Sequence, residues 1–139
     1  MNPREVPRGA GPNVVVVDDD IEVRNLLADA LTKDGFGVTQ IEDGDSLIGH
    51  LGKSVSDPGG YSPPDVIILD VRMPGSSGLE ILASLACAKW PTPVILMTAF
   101  GDAATHAAAA ELGAVAVFDK PFELDDLKRA VRSAAGRRP

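Results

Sequence analysis

The chain has 139 residues, enough for one domain with its own core and too few for a second module of ordinary size. Its net charge of −7, from 13 Lys and Arg against 20 Asp and Glu, argues against nucleic acid or an anionic membrane as the main partner, since bound polyanions need a basic face. One cysteine, Cys87, and two histidines exclude a disulfide framework and a zinc spacing, and no apolar run reaches the roughly 18 residues of a membrane span, so a soluble cytoplasmic domain is expected.

Residues 1–12 carry Pro3, Pro7, Gly9, Gly11 and Pro12 without periodicity and read as a disordered leader. Val14–Val17 is an unbroken β-branched run, suited to a strand buried on both faces, and Asp18, Asp19 and Asp20 end it. Val23, Leu26, Leu27, Ala30 and Leu31 then recur at helical spacing, with Gly35 as the stop. Asp20 is placed to cap that helix, with Glu22 and Arg24 solvated behind it. A weaker strand over Val38–Ile41 and a short helix over Ser46–Leu51 follow. Residues 52–64 are rich in Gly, Pro and Ser and read as a long loop with Tyr61 at its tip.

The pattern restarts at Val66–Leu69, closed by Asp70, and Leu79, Ile81, Leu82 and Leu85 mark a helix after Gly78. Cys87 and Trp90, near its end, read as packing residues. Val94–Met97 forms a fourth strand ending at Thr98. An Ala-rich helix spans Asp102–Leu112, Ala114–Phe118 is a fifth strand, and Glu123–Ala135 is a fifth helix. That last helix leads with Glu123, Asp125 and Asp126 and trails with Lys128, Arg129 and Arg132, in keeping with its dipole. His50 and His106 fall on helices and read as surface residues. Residues 13–135 thus form the folded domain, and 136–139 a flexible tail.

Five strand–helix alternations with nearly continuous apolar strands imply an α/β doubly wound sandwich, a parallel sheet with helices on both faces. In such sheets the ligand crevice lies at the carboxyl ends of the strands. Asp18, Asp19, Asp70, Thr98 and Lys120 therefore converge on one rim. Three carboxylates packed together raise one another's pKa unless a cation intervenes, and a hard divalent ion such as Mg²⁺ suits oxygen ligands. With an amine and a hydroxyl opposite, the rim has what phosphoryl transfer to a carboxylate needs.

The segments VVVVDDD, LDVRMPGSSG, VILMTAFGD and VFDKPF closely resemble those of the receiver domain of bacterial two-component response regulators. The resemblance runs from residue 13 to 135 and implies a flavodoxin-like (βα)5 fold with strand order 2-1-3-4-5. It implies that Asp70 is the phosphoacceptor, taking a phosphoryl group from a phosphohistidine on a sensor histidine kinase or histidine phosphotransfer protein. It further implies that Asp19, Asp70 and the backbone carbonyl of Arg72 ligate Mg²⁺, with Asp18 holding a metal-bound water. Lys120 and Thr98 would hold the phosphoryl oxygens, and a cis bond is expected at Lys120-Pro121. Output would run through the face of the fourth helix, fifth strand and fifth helix to a downstream protein, with no direct nucleic-acid contact and no membrane. Such a protein catalyses only its own phosphorylation and dephosphorylation.

Three features depart from the family, one of them the loop over residues 52–64, which is longer than usual and is either a surface insertion or a partner contact. Val117 stands where the family often has an aromatic switch residue, and Phe118 follows on the opposite face of the strand. Output is therefore expected through the loop after Thr98 and the fourth helix. Arg72 and Phe100 occupy the positions that tend to flank the hydrolytic water. Neither is an obvious base, so a persistent acyl phosphate is expected. A haloacid-dehalogenase-type phosphatase, with Asp18 as nucleophile and Asp20 beside it, is the alternative from the enzyme class, but it leaves Asp70 and MPGSSG unexplained. A receiver cut from a longer DNA-binding regulator is the other.

Overall fold

A computed structural model of the protein describes residues 11–56, 63–73, 75–99 and 103–136. Along the chain lie β1 (Asn13–Val17), α1 (Ile21–Lys33), β2 (Gly37–Ile41), α2 (Gly44–Ser56) and β3 (Val66–Asp70). They are followed by α3 (Gly78–Cys87), β4 (Val94–Thr98), α4 (Ala103–Glu111), β5 (Ala116–Asp119) and α5 (Leu124–Ala135). All strand pairs are parallel and the sheet order is β2-β1-β3-β4-β5, the flavodoxin-like arrangement.

The unbroken apolar strands are explained by burial on both sides. Val14 to Val17 in β1 and Val66 to Leu69 in β3 have no exposed surface, and successive side chains feed opposite layers. Val15, Val17, Ile67, Leu69 and Leu96 pack under α2, α3 and α4, where Leu47, Leu82 and Ala109 meet them. Val14, Val16, Ile68, Ile95 and Met97 pack under α1 and α5, against Leu27, Leu31, Leu127 and Val131. Val117 belongs to the first layer and Phe118 to the second.

Four sequence expectations change. The second helix is not short: α2 runs from Gly44 to Ser56, taking in the first residues of the expected loop. Leu47 and Leu51 bury against the sheet, and that tertiary packing outweighs the poor helix propensity of Gly49 and Gly52. The fifth strand begins at Ala116 rather than Ala114, because Ala114 N–H still closes the end of α4 on Ala109. Cys87 is exposed rather than part of the core, whereas Trp90 does pack on the core and donates through Nε1 to Thr92 Oγ1 at 3.0 Å. Arg24 is half-buried rather than solvated, because its side chain folds back to the Asp18 carbonyl. Tyr61, Phe100 and Asp102 lie outside the described residues, as do residues 1–10 and 137–139. Among the described residues no helix is long and apolar enough to cross a membrane.

Candidate functional site

All five strands point the same way, so their polar endings share one edge. β1 and β3 are neighbours with Val17 opposite Leu69, which puts Asp18 beside Asp70. Carboxylate oxygens of Asp18, Asp19 and Asp70 all lie within 4.8 Å of one another. Asp18 is fully buried and Asp70 is 5% exposed, while Asp19 faces solvent. From the far end of β5, Lys120 reaches back with Nζ 3.0 Å from Asp18 Oδ2 and 3.5 Å from Asp70 Oδ2.

The charges are unequal to one another. Burial, and next the charge of Asp18, push the Asp70 carboxyl up to about 6, even though Lys120 and the Arg72 N–H pull it back. Burial alone would lower Lys120, but the hydrogen bond from its ammonium to Asp18 and the charges of Asp70 and Asp18 outweigh that, leaving its pKa above the ordinary value. One ammonium thus serves two buried carboxylates and does not neutralise the set. The donor set is all oxygen, crowded and still short of positive charge, so it fits a hard dication such as Mg²⁺. An open groove of about 470 Å³ lined by Asp19, Val71, Arg72, Met73 and Ser77 leads to it.

The structure brings Asp18, Asp19, Asp70 and Lys120 together. Arg72 follows in the turn after β3, its N–H 3.4 Å from Asp70 Oδ1. Thr98 is buried at the end of β4 and joins the group through its backbone, its carbonyl accepting from Lys120 N–H at 2.7 Å. By strand alternation its side chain continues the row of Leu96, away from the row that leads to Asp70. The Lys120-Pro121 peptide bond is cis. Val117 lies in the core layer under α4. Gly78 opens α3 directly against the end of β3: a Cβ there would stand 2.3 Å from the Asp70 carbonyl oxygen and 2.8 Å from Val71 Cα. Asp20 caps α1 by accepting from Glu22 N–H at 2.9 Å.

Two residues gain a place near the site that sequence alone did not suggest. Arg24 turns back from α1 and donates from Nη1 to the Asp18 carbonyl. His106, on α4, meets Asp119 with Nε2 to Oδ1 at 2.9 Å, and Asp119 immediately precedes Lys120. A helical position four residues past the Asp run was the available signal for Arg24; nothing in the sequence pairs His106 with Asp119.

A (βα)5 sandwich with buried carboxylates and a facing lysine at its carboxyl edge fits a phosphoacceptor domain. The response regulator receiver domain profile matches residues 14–132, and the chain belongs to that family, the phosphoacceptor signalling domain of two-component systems. It is 36% identical over 123 residues to the transcriptional regulatory protein FixJ of Bradyrhizobium diazoefficiens, covering 88% of this chain and 56% of that protein. It is 32% identical to sporulation initiation phosphotransferase F of Bacillus subtilis, covering 86% of this chain and 90% of that one. Among solved structures, the signal receiver domain of a putative Luxo repressor protein from Vibrio parahaemolyticus superimposes with a TM-score of 0.81 at 27% identity, covering 91% of each chain. The chain spans about half the length of FixJ and of the TcrA regulator of Mycobacterium tuberculosis.

Proposed function

We propose that Asp70 accepts the phosphoryl group. The observation that carries this is its position: it is the buried member of the cluster that touches both Lys120 and the turn lining the open groove. With a pKa of about 6 it is mostly ionised at neutral pH and insufficiently neutralised, so one oxygen is available to attack phosphorus. A P–O bond to Asp70 forms while the P–N bond to the donor histidine breaks, and the imidazole nitrogen leaves with the electron pair. Lys120 stays within reach of the charge that develops on the phosphoryl oxygens. Asp18, Asp19, Asp70 and the Arg72 carbonyl would hold Mg²⁺, which supplies further charge neutralisation when bound. Thr98 completes the grip after its side chain rotates out of the core layer.

The functional unit is residues 13–135. Its donor is a sensor histidine kinase or a histidine phosphotransfer protein in the cytoplasm, and its catalysis is confined to its own phosphorylation and dephosphorylation. The readout face is α4, β5 and α5, presented to a protein partner rather than to nucleic acid. Incubation with acetyl phosphate and Mg²⁺ should add one phosphoryl group, seen by intact mass, that is labile to hydroxylamine and absent in Asp70→Asn. Turnover of a phosphomonoester lost in Asp18→Asn but kept in Asp70→Asn would instead establish the phosphatase reading.

A further inference from the structure

Arg24 sits in the first turn of α1, where its N–H donates to the Asp20 carbonyl at 3.1 Å. An arginine at an amphipathic helix start has no need to leave water. Here its side chain is half-buried and folds back so that Nη1 donates to the Asp18 backbone carbonyl at 2.5 Å. Its Nε is buried without a partner among the described residues, which is unfavourable by itself. The bond to Asp18 is what this burial serves.

The other polar atoms of Asp18 are already committed. Its N–H donates to Ile41 O at 3.2 Å, Oδ1 accepts from Asp20 N–H at 2.9 Å, and Oδ2 accepts from Lys120 at 3.0 Å. The carbonyl held by Arg24 belongs to the peptide that leads into Asp19. Its plane sets the direction in which the Asp19 side chain departs, and Asp19 is the exposed member of the three-carboxylate cluster. We propose that Arg24 is a positioning residue for the divalent-cation site, fixing the Asp18–Asp19 peptide and so placing the Asp19 carboxylate as a ligand. The inference rests on reading the cluster as a Mg²⁺ site.

Charge and position make opposite demands on this residue. A guanidinium bonded to the Asp18 carbonyl adds positive charge close to the cluster and repels a dication, so on charge alone its removal tightens Mg²⁺ binding. If its work is to hold the peptide, removal loosens binding. Arg24→Met keeps an unbranched apolar stem and deletes the N–H donors together with the charge, while Arg24→Lys keeps the charge and loses the planar fork.

The test is calorimetric titration of metal-stripped protein with MgCl₂, alongside amide spectra and urea unfolding of each variant. Arg24→Met is expected to bind Mg²⁺ about tenfold more weakly than wild type, with Asp19 and Asp20 amides displaced before metal is added. Arg24→Lys should fall between the two. Binding by Arg24→Met as tight as wild type, or tighter, overturns the proposal. Should Arg24→Met fail to fold, Arg24→Lys decides: a loss of about threefold or more supports the role, and wild-type affinity overturns it. Wild-type protein that binds no Mg²⁺ at millimolar concentration overturns the metal reading itself along with the inference, whereas the variant results overturn the inference alone.

Discussion

Replacing Asp70 by Asn should make the metal-free protein more stable at neutral pH. The Asp70 carboxyl is raised from an ordinary 3.8 to about 6, first by burial and then by the Asp18 charge. Those two units, at about 1.36 kcal/mol each, put the cost of ionising it in the folded state at about 3 kcal/mol. Because the folded protein holds this proton more tightly than the unfolded chain, the stability linked to it is complete below about pH 4 and lost as pH rises through about 6. Asn keeps the shape of the carboxyl without its charge and escapes that loss. Urea unfolding of both proteins in EDTA, from pH 4 to 8, should therefore show curves that differ little near pH 4. They should separate between pH 4 and 6, and the gap should reach up to about 3 kcal/mol in favour of Asp70→Asn at pH 7.5. Saturating Mg²⁺ should narrow the gap by stabilising the wild type selectively. A difference that is constant with pH, or a less stable Asp70→Asn at pH 7.5, would refute the account of a strained acidic pocket.

The other expectations concern the groups around that pocket. Lys120→Met removes the ammonium shared by two buried carboxylates, so stability at pH 7.5 should fall by about 2–4 kcal/mol and recover in part toward pH 5 as Asp70 takes up a proton. An unfolding midpoint indifferent to pH over that range would count against it. Gly78→Ala forces a methyl group into the Asp70 carbonyl and should cost about 3 kcal/mol, with phosphorylation by acetyl phosphate lost or slowed; an unchanged melting temperature would show that the contact yields easily. His106→Ala breaks an exposed pair and should change stability by less than about 1 kcal/mol. On adding beryllofluoride and Mg²⁺, amides of Thr98, Ala99 and α4 should shift in the wild type and respond less in His106→Ala. No shift in those residues would remove α4 from the output path.

Much of this protein was legible in one dimension because its strands are buried on both faces. Four consecutive valines in β1, or Val-Ile-Ile-Leu in β3, have few homes other than the middle of a parallel sheet, and parallel strands bring their polar endings to one edge. Asp18, Asp70 and Lys120 could therefore be grouped although 102 residues separate the first from the last. Helix limits were less legible, since α2 continues past Leu51 through a glycine on the strength of packing that no local propensity contains. What only the tertiary structure decided are contacts whose donors and acceptors are generic in sequence. The Asp18 carbonyl that draws Arg24 inward is a backbone group that every residue has, and the Asp119 that meets His106 comes from another element. The charge balance of the pocket belongs to the same class. Sequence shows three acids and one base at an edge, but the burial that leaves Asp70 reluctant to ionise arises only when the two layers close over it.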